Sequence, residues 1–165
     1  MQLLTFSDIS YTDSVILANI KKYYPNSEYY FNVLRQTGCR PSEPLIPQLW
    51  FLDDNGTLFL QPLKNNNIRQ FDSSLIDPEF IEMIVTSNFR YEVYRLAALT
   101  RAFHVCNIQG RISTFTDHSA LYFYRYFKAK SLYENGMSMV DIQSYFGWVF
   151  PSMAPNYVSK NLYRL

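Results

Sequence analysis

Cysteine is scarce in this chain. Cys39 and Cys106 are the only two, too few for a disulfide framework, and both read as free thiols in a reducing compartment. Histidine is equally rare, with two residues, so no His/Cys spacing for a metal-ligand set exists. The five glycines form no phosphate-cradling loop, and no nucleophile-elbow motif supports a Ser-His-Asp triad. No apolar run approaches the length of a membrane span. The opening residues MQLLTFSDIS lack a basic region and a long apolar stretch, so they do not read as a signal peptide. The cytoplasm is therefore the expected compartment, with no membrane partner. Charged residues are only 18% and the net charge is +1, which by itself names no partner.

What is present is a chain of 165 residues and 19.5 kDa, long enough for one domain with a sizeable core. Hydrophobic residues reach 48%, which excludes wholesale disorder. The 14 Tyr and 13 Phe are an excess of aromatics that names no function. The small net charge hides an uneven distribution. Residues 1–88 balance at −4 and residues 89–165 at +5, so the C-terminal half is the one suited to a polyanion.

Local signals organise the chain. Ser7 and Asp8 are cap candidates for a helix through Ile9, Ile16 and Ile20 that stops before Pro25. Glu28 to Gln36 reads as a second helix ended by Thr37-Gly38. Pro41, Pro44 and Pro47 discourage any long helix after it. Leu49 to Leu52 and Thr57 to Leu60 flank an Asn55-Gly56 turn and read as a hairpin, with Ile68 to Phe71 a third strand. Beyond Asp77-Pro78-Glu79 the pattern is helical. Tyr91 to Val105 has Val93, Leu96, Ala97 and Phe103 as core candidates, and His118 to Glu134 closes at Asn135-Gly136. Ser138 and Asp141 form a capping box for Met139 to Phe146, which Gly147 ends. The expected fold is mainly α with a small antiparallel β-sheet, an α+β domain.

Two segments and a lysine carry the functional signal. The first segment is Thr37-Gly38-Cys39-Arg40-Pro41-Ser42-Glu43. The second begins at Arg125-Tyr126-Phe127-Lys128-Ala129 and continues through Gly136, Ile142-Gln143 and Phe146-Gly147-Trp148 to Tyr157. Trp148 follows Arg125 by 23 residues, and Tyr157 follows Trp148 by nine. Lys64 sits in a turn after a strand, between them. In this order the segments resemble the two catalytic boxes and the hairpin lysine of the tyrosine recombinase (phage integrase) family. The resemblance runs from residue 37 to 157 and fits the opening helix too.

The resemblance implies a catalytic-domain fold of that family over residues 1–165. It implies a site-specific DNA recombinase or integrase, of the kind mobile elements carry, that cleaves and rejoins strands through a 3′-phosphotyrosyl intermediate. Arg40 and Arg125 would neutralise the non-bridging oxygens with bidentate donors that stay charged. Trp148 would add an indole N–H, which donates only. Lys64 would protonate the leaving 5′-oxygen, and Tyr157 would be the nucleophile. Glu43 is a candidate support for Arg40. DNA contacts are expected from Arg40, Lys64, Arg125 and Lys128. The implied partner is double-stranded DNA, with a homo-oligomer on it, at the nucleoid of a bacterium or in a phage-encoded role. No metal, nucleotide cofactor or small-molecule substrate is implied.

The sequence departs from the family at Tyr122, where a histidine is usual, and at Tyr126, where another is common. His118 lies one helical turn before Tyr122. Tyrosine is a poor general base near neutral pH. The family's N-terminal clamp domain is expected to be absent, and the eight residues after Tyr157 are short for exchange between protomers. A catalytically impaired DNA-binding or accessory module of the same fold is therefore the alternative. A type IB topoisomerase and an unrelated helical interaction domain are the lesser readings.

Overall fold

The computed structural model describes residues 6–88, 96–107, 120–160 and 162. Helix α1 covers Phe6–Tyr23 and begins just ahead of the expected caps. Pro25 opens a single 3₁₀ turn, and α2 follows at Glu28–Thr37. Gly38 ends α2 in the left-handed conformation, with φ 64°, as an L residue rarely does. The three prolines then impose short 3₁₀ turns at Glu43–Leu45 and Pro47–Leu49.

Strands β1 (Trp50–Leu52), β2 (Thr57–Leu60) and β3 (Arg69–Asp72) form an antiparallel sheet in the order β1-β2-β3. The hairpin turn is held by the Asp53 carboxylate, which accepts from Asn55 N and Thr57 N at 2.9 and 2.8 Å. Register sets Trp50 opposite Leu60 and Leu58 opposite Phe71, and puts Leu60 opposite Arg69. All five side chains are buried, because alternation turns every second residue inward. Ile68 stays outside β3.

Helix α3 (Pro78–Thr86) is capped by Asp77, whose side chain accepts from Glu79 N. Helix α4 covers Leu96–Cys106. Its buried face is Leu99, Ala102, Phe103 and Cys106. Leu96 is half-buried and packs against the core, whereas Ala97 is exposed, which corrects its expected place in the core. Val93 and residues 91–95 lie outside the described residues, as does His118. The helix expected from His118 is, in its described part, a 3₁₀ turn at Ala120–Tyr122 followed by α5 (Phe123–Glu134). Helix α6 (Met139–Phe146) has the expected Ser138 cap and ends at Gly147, φ 69°. The sequence reading assigned no element to α7, Met153–Ser159.

The core is centred on α2, where Tyr30, Phe31, Val33 and Leu34 are fully enclosed between α1, α3 and α5. Arg35 leaves this core to pair with the buried Asp13 carboxylate at 2.6 Å. A second cluster of Ala129, Ile142, Phe146, Trp148 and Ala154 binds α6 and α7 to α5. The two clusters meet at the C-terminal end of α2. No helix among the described residues is long and apolar enough to cross a membrane.

Candidate active site

The end of α2 turns two backbone carbonyls toward two buried guanidiniums. Arg125, on α5, donates from Nη1 to Gly38 O at 3.0 Å. Arg69, on β3, donates from Nη2 to Thr37 O at 2.6 Å and from Nε to Tyr145 O at 2.9 Å. Helix C-termini carry partial negative charge, so cations are favoured there. The order of the two motif segments does not point to Arg69. The available signal was its alternation with Phe71, since two residues apart on a strand share a face.

The segment carrying Arg40 is pinned by its neighbours. Tyr30 Oη donates to Pro41 O at 2.6 Å, and Trp50 Nε1 to Glu43 O at 2.8 Å. The buried Glu43 carboxylate accepts from the backbone N–H of Arg40 and from Leu63 N at 3.1 Å. It lies 3.8 Å from Arg40 Nη1, so it organises the loop backbone more than it neutralises the guanidinium. Burial, and then the charge of Arg125, hold the Arg40 pKa below its ordinary value. Tyr122 and Tyr157 also act on Arg40 electrostatically, and Arg125 is hydrogen-bonded to Gly38, two residues before Arg40.

Arg125 is buried beneath aromatic rings. Its guanidinium lies 5.3 Å from the Phe146 centroid, 5.6 Å from Trp148 and 5.9 Å from Tyr157. Those rings continue as a column. Phe146 stacks on Trp148 at 4.3 Å, Trp148 meets Tyr157 at 4.5 Å, and Tyr157 stacks on Tyr126 at 4.2 Å. Trp148 is buried, yet its Nε1–H has no acceptor among the described residues. A buried donor without a partner is uncommon and costs stability. Arg69 Nη1 is in the same condition.

Lys64 lies in the β2–β3 loop with an exposed side chain. The residues beside it are fixed at both ends of the site. Leu63 N reaches Glu43, as above, while Asn65 Nδ2 and Asn67 Nδ2 donate to Gly147 O at 3.4 and 2.9 Å. Its loop thus bridges the Arg40 segment to the residue before Trp148. Lys128 is half-buried, with Nζ 5.7 Å from the Tyr145 centroid. Burial, and then Arg69, lower its pKa.

The structure therefore gathers Arg40, Arg125, Trp148, Tyr157 and Tyr122, and sets the Lys64 loop at their edge. It adds Arg69 and Tyr145, which the sequence reading missed, and gives a place in the site to Phe146, which that reading quoted only as part of the second segment. Three arginines and Lys128 face a single described carboxylate, Glu43. Such an excess of partly desolvated positive charge suits an anion with several oxygens. Compared with protein-family models, curated proteins and solved structures, the chain matches none. Among the described residues no group of His, Cys, Asp and Glu is arranged to hold a metal ion.

Burial around the site also predicts alkaline sensitivity. Burial, and then Glu43, push the Cys39 thiol from 9.0 up to about 12. Burial pushes the Tyr145 phenol from 10.0 up to about 12, and holds Tyr30 and Tyr124 well above 10.0. These groups keep protons that the unfolded chain releases from pH 9 upward. The folded state then binds more protons, so stability is complete below that pH and falls as pH rises. Arg69 acts oppositely. Its pKa is lowered to about 10, so above that pH it offsets part of the loss. Unfolding free energies from urea titration are expected to fall between about pH 9 and about pH 11, by on the order of 1 kcal/mol per pH unit for each such group. Cys39→Ser is expected to reduce the loss at its onset by removing one of the two thiols raised from 9.0, the other being Cys106. A flat unfolding free energy over that range would contradict the burial argument.

Proposed function

We propose that the chain is the catalytic domain of a tyrosine recombinase, with that family's catalytic-domain fold, and that it cleaves and rejoins double-stranded DNA through a 3′-phosphotyrosyl intermediate. The observation that carries this reading is the meeting of Arg40, Arg125, Tyr157 and the unpartnered Trp148 N–H, brought together from four separate segments. In the step proposed, Tyr157 Oη attacks the phosphorus and its proton passes to solvent. The new O–P bond forms as the bond to the 5′-oxygen breaks. Lys64 gives that oxygen a proton. Arg40 and Arg125 meet the charge developing on the non-bridging oxygens, and Trp148 donates to one of them. Religation is the reverse, with the 5′-hydroxyl attacking the phosphotyrosine and Tyr157 leaving.

Tyr122 beside Arg40 favours a second reading, a DNA-binding module of the same fold that has lost catalysis. A phenol at this position supplies a hydrogen bond but little acid–base capacity near neutral pH.

Covalent trapping separates the two. Nicked duplexes made from DNA flanking the protein's own gene are incubated with it, and SDS-resistant protein–DNA adducts are sought. The expected result is an adduct that vanishes in Tyr157→Phe, while DNA binding stays and weakens with rising salt. Salt-sensitive binding without an adduct would establish the second reading. Neither binding nor adduct would sink both.

A further inference from the structure

Tyr126 follows Arg125 on α5, and the family pattern gives it no role as a tyrosine. Its ring lies nearly parallel to that of Tyr157, centroids 4.2 Å apart with 16° between planes. The buried Arg125 and Phe127 on either side anchor Tyr126 in the helix. One turn further along α5, Lys130 Nζ donates to Val158 O at 2.6 Å. Helix α7 is thus tied to α5 at two consecutive residues, Tyr157 and Val158. A seven-residue helix has little internal stability, so these ties decide where Tyr157 sits.

We infer that Tyr126 is a positioning residue for the nucleophile, holding the Tyr157 ring by stacking. This role rests on the proposed function, in which Tyr157 attacks DNA. The charged and titratable groups facing the pair are Arg125 and Lys130 from α5, Tyr122 from the turn before it, and Arg40 from the segment after α2.

The test compares Tyr126→Phe, which keeps the ring, with Tyr126→Leu, which removes it. Tyr126→Phe is expected to form the adduct within about threefold of the wild-type rate, and Tyr126→Leu to form it at least roughly tenfold more slowly. A readout without DNA accompanies these. Fluorotyrosine is incorporated throughout, and the Tyr157 resonance is assigned by its loss in Tyr157→Phe. That resonance is expected to shift in Tyr126→Leu and to stay near its place in Tyr126→Phe. A wild-type protein that forms no adduct overturns the strand-transfer reading, and the positioning role with it. A resonance and an adduct rate indifferent to Tyr126→Leu overturn the positioning role alone.

Discussion

Trp148→Phe is expected to slow covalent adduct formation by roughly 100- to 1,000-fold, the usual cost of removing one donor to a developing oxyanion. The same change should leave the folded protein nearly as stable as before. Phenylalanine keeps a ring on Phe146 and near Tyr157, where Trp148 now sits at 4.3 and 4.5 Å. What disappears is an N–H that no group among the described residues accepts. An unsatisfied buried donor costs about 1–3 kcal/mol, and its removal offsets much of the packing lost with the smaller ring. A stability cost carried by the free protein and recovered only against a ligand is what a binding donor looks like. Single-turnover trapping on nicked DNA, beside thermal unfolding, measures both halves. A rate within about threefold of wild type would remove the indole from the proposed chemistry.

Gly38→Ala is expected to cost roughly 3 kcal/mol and to lower the melting temperature by about 10 °C. Two terms add. The backbone there has φ 64°, a conformation that a side chain makes unfavourable by about 1 kcal/mol. The added Cβ would also lie 2.7 Å from Phe146 Cε1 and 2.9 Å from Lys128 Cβ. Relief of that clash must move either α6 or α5, or the Gly38 carbonyl that holds Arg125. Gly136 is the natural control. Its φ is 93°, yet a Cβ would meet nothing within 4 Å. Gly136→Ala should therefore show the backbone term alone. Equal losses at the two glycines would refute the packing argument.

Much of the fold was legible because the deciding signals are local. Pro25 and Gly38 bound their helices, Asn55-Gly56 makes its turn, and Ser138 caps α6 as the capping box requires. Helix α7 was hidden by Pro155, which reads as a breaker. It falls in the first turn, where no backbone N–H is needed. Ala97 was misplaced because the phase of α4 is set by Leu99, Phe103 and Cys106, a choice made by packing. The candidate site divides in the same way. The order and spacing of Arg40, Lys64, Arg125, Trp148 and Tyr157 were visible, since they follow a linear pattern. Arg69 was not, because a charged residue on a short strand reads as solvent-facing. Its burial follows from Phe71 sharing its face and from carbonyls at Thr37 and Tyr145, far away in the chain. The pairing of Tyr126 with Tyr157 was equally hidden, being made by the docking of α7 on α5.

The hydrogen bonds that close the site span long stretches of chain. Arg125 reaches Gly38 across 87 residues, Asn67 reaches Gly147 across 80, and Arg69 reaches Tyr145 across 76. Contacts between such distant residues close large loops and are completed only after the entropy of loop closure has been met. The helices and the hairpin can form early from neighbours, whereas the cluster waits for α6 and α7, the last described helices to leave the ribosome. A partly made or clipped chain therefore holds arginines and tyrosines but no assembled centre, which arrives only once α6 and α7 have docked.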